Sequence, residues 1–531
     1  MPRSLLSSSA LPPRPLRLLA GAAIGLGIAT TIALVLWSIA STAANEPGAG
    51  SRVDVMHLLV MTATQAGLTM VLSLVVGIAV AWALNRLRFP GRDLIVGLFA
   101  SAIVTPGIIV AFGLLAIWGR AGWVSELTGF QFPIFGLGGI LFAHVILDAS
   151  FAARILLARL DSIPPFRLKT GQSLGLNAWQ RFALIDWPAM RTTLPGLGAI
   201  IFLLAFTSFP VVLLLGGGPA NQTLEVAIYS AVRLDFDLSG AVTLALVQIG
   251  VCATIILLAS AAAPIPANLG HSAGQVWRDW PVVQAVQWIV LAIAVLGFGL
   301  PLAAIVVDGL GPGLGTLLAR PSFWLSLWTS LGIASASAAL TLLLGLTLAA
   351  GRAASGQRLV KTALGAPAYA YLAVPAVVLS LGFFLMARNA GIDPTLAAPV
   401  VVVLANTLLA LPYAVSTLGP PLDAIAARRG KLIRSLGLSG WRQFLAVEWP
   451  LIASDVGVVA ALAFCFSMGD LGVISLFGTD DFTTLPLLMS RSLAAYRSNE
   501  AGGIAMVMLL LTVAAFVLIP RFFGKFADAR A

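Results

Sequence analysis

Charge is what this chain has least of. Only 10% of its 531 residues are charged, while 59% are hydrophobic; a soluble protein carries about a quarter charged residues. That balance excludes a water-soluble globular body and places the chain in a bilayer. Cysteine is nearly absent. Cys252 and Cys465 both lie in apolar runs and form neither a disulfide framework nor a CxxC metal spacing. The three histidines, His57, His144 and His271, are far apart and make no ligand pattern. Gly430-Lys431 and Gly524-Lys525 are followed by Leu432 and Phe526, so the Ser/Thr that a phosphate loop offers to magnesium is missing. No metal, no cofactor and no covalent chemistry are expected of this chain, and any ATP must be hydrolysed elsewhere.

Long apolar runs are what the chain has in abundance. A membrane-spanning helix needs roughly 20 apolar residues. Twelve such runs occur, near 17–40, 57–85, 93–118, 132–155, 193–216, 238–262, 283–307, 323–350, 362–388, 395–418, 453–477 and 500–520. The first follows Arg3, Arg14 and Arg17 like a secretory signal. It exceeds the 7–15 residues of a signal core, so a retained helix is expected. The fold class is therefore an all-α polytopic membrane protein.

The net charge of +10 resembles a nucleic-acid signal until it is laid on this topology. Seven basic residues fall on one side: Arg52, Arg120, Arg233, Arg320, Arg388, Arg491 and Arg497. The other 24 fall on the opposite side or at its helix ends. Lys and Arg accumulate on the cytoplasmic side. The richer side is thus cytoplasmic, both termini are cytoplasmic, and no nucleic-acid partner is expected.

On that side one loop occurs twice, 262 residues apart and without a gap. Leu160-Asp161, Ser173-Leu174-Gly175-Leu176, Trp179, Phe182 and Trp187-Pro188 return as Leu422-Asp423, Ser435-Leu436-Gly437-Leu438, Trp441, Phe444 and Trp449-Pro450. Pro106 and Gly113 likewise match Pro375 and Gly382. Six spans separate equivalent points, so the halves are parallel repeats about an axis along the membrane normal, with a pathway expected between them. Within each loop Pro164-Pro165 favours a helix start, Ile425, Leu432, Ile433 and Leu436 share a face, and Gly175 and Gly437 permit a sharp turn after the helix. Trp187 and Trp449 suit the membrane interface. A polar loop kept twice at one register suggests two equivalent docking sites for another protein.

The loops resemble the EAA loop of inner-membrane permeases of ATP-binding-cassette importers. Gly175, Ile185 and Pro188, and Gly437, Val447 and Pro450, keep that loop's spacing. Lys169-Thr170-Gly171 and Lys431-Leu432-Ile433 stand where the family has Glu-Ala-Ala. Further stretches, Arg88-Phe89-Pro90-Gly91-Arg92, Leu215-Gly216-Gly217-Gly218-Pro219, Gly469-Asp470-Leu471-Gly472, Leu476-Phe477-Gly478-Thr479-Asp480-Asp481-Phe482 and Ala495-Tyr496-Arg497-Ser498 among them, are similar to the thiamine and thiamine pyrophosphate permeases, the fused two-half members of the ferric iron permease group. The resemblance implies a type I importer core that moves thiamine and its phosphates across the inner membrane. It also implies two copies of a cytoplasmic ATPase and a periplasmic thiamine-binding protein as partners, beside membrane lipid. The ATPase-docking residues implied are Lys169, Ser173, Gly175, Trp179, Pro188, Lys431, Ser435, Gly437, Trp441 and Pro450.

On the opposite side, Gly216–Pro219 is expected to break the fifth span and Gly478–Asp481 to end the eleventh. Amphipathic segments follow both, from Leu224 and from Leu485. Gly217, Glu225, Tyr229, Asp470, Asp480, Asp481, Phe482 and Tyr496 are candidates for an external gate or substrate path, or for ordinary loop chemistry. Asp470 is either an intramembrane functional carboxylate or a helix cap. The expected division is an arm and first helix (1–56), a first core (57–262) with loop 161–188, a cytoplasmic linker and seventh helix (263–322), a second core (323–520) with loop 423–450, and a tail (521–531). The alternatives left open are the same machine for ferric iron or another small solute, and an ion-coupled secondary transporter. The second would need intramembrane acid–base pairs, for which Asp148 and Asp470 are the clear carboxylate candidates.

Overall fold

The structure is a computed structural model that describes residues 15–45, 54–260, 277 and 279–528. Arg3, Arg14, Arg52, the linker prolines Pro264 and Pro266, and His271 fall outside them. All regular structure among the described residues is helical. Among the described residues ten helices are long and apolar enough to cross a membrane, and two bent pairs, each taken as one span, bring the number to twelve. The twelve coincide with the twelve apolar runs, because in lipid a spanning segment must satisfy its backbone within itself.

The departures occur where proline or glycine interrupts a run. The third run, expected unbroken over 93–118, is helix Arg92–Ser101, a turn, then helix Gly107–Trp118 with Pro106 as its N-cap. The ninth run breaks in the same way: Arg358–Ala373 and Ala376–Asn389 meet at 99°, with Pro375 as N-cap. Proline has no N–H to continue a helix and holds the residue before it extended; Val374 sits at φ −111°, ψ 103°. The fifth run breaks at Thr207–Phe209 before Pro210–Leu215 resumes it, and again at Gly216–Gly218. Gly216 closes that resumed helix, with its N–H donating to Val212 O at 2.8 Å.

The leading helix of each half lies against the other half. Helix Pro15–Asn45 packs on Pro321–Ala353 and Ala376–Asn389, and helix Pro281–Gly309 packs on Gly107–Trp118 and Val55–Arg86. The matched glycines explain the fit. A Cβ at Gly113 would sit 2.6 Å from Pro301 O, and one at Gly382 would collide with Val35. Gly21 and Gly351 let two backbones touch; a Cβ on Gly21 would be 3.0 Å from Gly351 Cα. The cores also meet directly: Gly469 faces Pro106, and a Cβ there would be 2.6 Å from the ring.

Candidate functional site: two matched loops and an external gate

The two loops share one backbone. Each turns at a glycine with φ +66°, Gly175 and Gly437. In the first copy Gly175 N donates to Gln172 O at 3.0 Å and Leu176 N to Gly171 O at 3.1 Å. In the second, Gly437 N donates to Arg434 O and Leu438 N to Ile433 O, both at 3.0 Å. This is the Schellman helix end, which requires a left-handed residue and therefore favours glycine. A short helix follows, Ala178–Arg181 or Gly440–Gln443, then a π-helical turn, Phe182–Asp186 or Phe444–Glu448, running into Trp187 or Trp449. Trp179 stacks on Phe182 at 5.9 Å between centroids, and Trp441 on Phe444 at 5.1 Å.

Exposure repeats too. Leu168 and Gly171 are buried, as are Gly430 and Ile433 at the same register. Lys169, Ser173 and Trp179, with Lys431, Ser435 and Trp441, are exposed, and Pro188 and Pro450 are half-buried. Leu174 and Leu436 are exposed as well, so each loop leaves a leucine and a tryptophan uncovered. The expected apolar face holds only in part: Ile425 and Ile433 are buried, while Leu432 and Leu436 are exposed at 58% and 63%. The copies also differ in their entry. Pro164-Pro165 ends helix Leu137–Asp161 and starts helix Pro165–Ser173, with Pro165 at its first position. Ala426-Ala427 occupies that register in the second copy, so helix Pro394–Ser435 runs unbroken into the loop. Alanine favours helix where a proline pair interrupts it.

A buried polar frame holds each loop. Arg86 donates to both carboxylate oxygens of Asp186, with side-chain exposures of 4% and 0%. Arg181 donates to Asp279 at 2.8 Å. In the second copy Arg17 donates to Glu448 at 2.7 Å, and Gln443 donates to the same oxygen. Asn85 holds Asp161 at 2.8 Å, and Lys361 holds Asp423 at 2.6 Å. Sequence reasoning named Arg17, Asp161 and Asp423 but none of these pairings. The available signal was that Asp186 and Glu448 stand at one register just before Trp-Pro, among residues chosen for their identity rather than their charge.

The external elements also match. Helices Leu224–Arg233 and Leu485–Ala494 follow the broken spans. Leu224 N is bound by Thr62 Oγ1 at 3.0 Å, and Leu485 N by Ser330 Oγ at 2.8 Å. Gly217, φ +70°, turns the chain in the first half. Asp470 accepts from Val473 N at 3.1 Å and so caps helix Gly472–Phe477. Arg491 holds Asp480 at 3.1 Å, while Asp481 is exposed. Arg233 of the first half donates to Gly478 O of the second at 2.9 Å, joining the halves at this face.

The candidate aromatics do not form one cage. Tyr229 meets Phe209 edge-on at 5.3 Å, Phe482 is half-buried, and Tyr496, φ +57°, is 94% exposed. Glu225 is fully buried and accepts from Gln248 at 3.0 Å. Burial raises its pKa, so it suits packing better than the capture of a cation.

Duplicated halves, two matched loops and spans broken at equivalent prolines define a multi-pass transport permease. No protein-family model matches the chain. It is 37% identical over 482 residues to the thiamine transport system permease protein ThiP of Salmonella typhimurium, covering 89% of this chain and 90% of that one. With ThiP of Escherichia coli the identity is 36% over 480 residues, 88% and 89% of the two chains. With ThiP of Haemophilus influenzae it is 34% over 475 residues, 87% and 88%. The chain belongs to the family of thiamine transport system permeases.

Proposed function

We propose that this protein is the membrane-spanning subunit of an ATP-binding-cassette importer that moves thiamine and its phosphates across the inner membrane. Two copies of a cytoplasmic ATPase press on the loops 161–188 and 423–450, and a periplasmic binding protein delivers cargo to the opposite face. The observation that carries this reading is the pair of matching glycine-closed turns, each followed by an exposed tryptophan and preceded by an exposed leucine. Two equal surfaces on one side suit two equal motors. Family membership supports thiamine as the cargo. The ion-coupled alternative is disfavoured because neither Asp148 nor Asp470 belongs to an ion pair among the described residues. The basic loops support a cytoplasmic placement of these turns and of both termini.

A thiamine-auxotrophic host lacking its own importer, given this chain with its ATPase and binding protein, is expected to grow on low thiamine. Failure there with rescue of iron-limited growth would overturn the cargo. The purified chain alone in liposomes is expected to hydrolyse no ATP, and hydrolysis that follows the chain through purification would overturn the division of labour. The external tie gives a third expectation. Arg233→Ala removes a bond between the halves at the outer face, so the outward-open state gains population. In the reconstituted complex, ATP hydrolysis without binding protein is expected to rise about threefold, within the range of single-residue couplings; an unchanged basal rate would show that this bond does not hold the gate.

A further inference from the structure

The two loops are tied to the rest of the protein by joints of opposite polarity. In the first, the loop carries the cation. Arg181 is fully buried, donates to Asp279 Oδ2 at 2.8 Å, and lies 4.7 Å from the ring centroid of Trp277. Gln287 Nε2 donates to the same oxygen at 2.7 Å, and Gln284 Nε2 to the Asp279 carbonyl at 2.6 Å. Trp277 closes on Gly171, where a Cβ would sit 3.0 Å from its ring. Asp279 and Trp277 immediately precede helix Pro281–Gly309, which leads the second half and packs on the first.

In the second joint, the loop carries the anion. Gln443 replaces Arg181 at the same register, and Glu448, with its side chain 4% exposed, accepts from Arg17 at 2.7 Å. Arg17 belongs to helix Pro15–Asn45, which leads the first half and packs on the second.

We propose that Arg17 and Asp279, the latter with Trp277, are positioning residues that yoke each docking loop to the leading helix of the opposite half. A stroke at one loop then moves the crossed-over helix with it. Arg181, Asp279 and Glu448 are buried and Arg17 is half-buried, so parting either pair leaves a buried charge uncompensated and loop and helix travel as one body. The inference rests on reading the loops as ATPase docking sites.

The test uses the full complex with ATPase and binding protein in proteoliposomes, measuring thiamine taken up per ATP hydrolysed. Arg17→Glu and Glu448→Arg, each alone, are expected to lower that ratio about tenfold, as is Asp279→Arg, a loss of the size that coupling residues carry. ATPase co-purification should stay at the wild-type level. Combining Arg17→Glu with Glu448→Arg should restore the ratio to within about threefold. An unchanged ratio in the single variants, or a double variant no better than either, overturns the proposal. Should the reversals not assemble, the pair Arg17→Cys and Glu448→Cys, bridged by a bis-methanethiosulfonate long enough to replace the two side chains and removable by reduction, decides. The bridge should leave uptake intact, since the joint stays shut through the cycle; uptake lost on bridging and regained on reduction overturns the yoke. Failure of the wild-type loops to bind the ATPase at all would instead overturn the docking reading.

Discussion

Gly437→Pro is expected to reduce thiamine uptake to the level of empty liposomes while the chain still inserts. The residue sits at φ +66° and its N–H donates to Arg434 O at 3.0 Å. Proline fixes φ near −65° and has no N–H, so both requirements fail together. The loop must then leave the helix in another direction, carrying the exposed pair Leu436 and Trp441 away from their present positions. A graded series separates this from general damage. Asn tolerates the left-handed region, while Ala pays roughly 1–2 kcal/mol there. Uptake and ATPase pull-down should therefore fall in the order Asn, Ala, Pro at position 437, and in the same order at Gly175, where nothing lies within 4 Å of an added methyl to confuse the result. Normal pull-down and uptake in both proline variants would show that these loops are not docking sites.

Arg86→Ala is expected to be the most destabilising single truncation at the first loop. It leaves Asp186, with no exposed side-chain surface, facing only the Arg181 Nε at 3.9 Å. Breaking a buried pair by removing one partner costs about 3–5 kcal/mol. Replacing both by apolar groups, Arg86→Met with Asp186→Leu, should recover most of that stability, because no uncompensated charge then remains. Thermal unfolding in detergent reads the difference. An Arg86→Ala transition matching the wild type would mean that Asp186 finds another counter-charge.

The twelve spans were legible because hydrophobic run length alone sets them, and the positive φ at Gly175 and Gly437 was legible because a glycine at one register in two copies has a backbone reason. Three things were not. The bends before Pro106 and Pro375 were marked by the repeat but lie inside continuous apolar runs, where composition carries no punctuation. The continuous helix through Ala426-Ala427 was hidden because the matching loop has Pro164-Pro165, and the resemblance of the copies suggested a common entry. The polar frame was missed because its members, such as Arg17 with Glu448 and Arg181 with Asp279, are remote in sequence; only the crossing of the leading helices brings them together. At the opposite face the sequence left Asp470 open between an intramembrane carboxylate and a helix cap. Asp470 sits in a helix-capping position, and Glu225 is packed between neighbours with no ring of Tyr229, Phe482 or Tyr496 gathered around a shared space.

The crossed leading helices also bear on how the protein is made. Synthesis proceeds from the N-terminus, so Pro15–Asn45 enters the bilayer first, yet its seat on Pro321–Ala353 and Ala376–Asn389 is built long afterwards. Gly21 must wait for Gly351. Until then the opening helix faces lipid on the side that will later be covered, and the groove around Gly113 stays open until Pro301 arrives. Neither half can finish packing before the other has been translated, so nascent chains stalled between the halves would expose the uncovered helix face and the unfilled groove to the membrane's quality-control proteases.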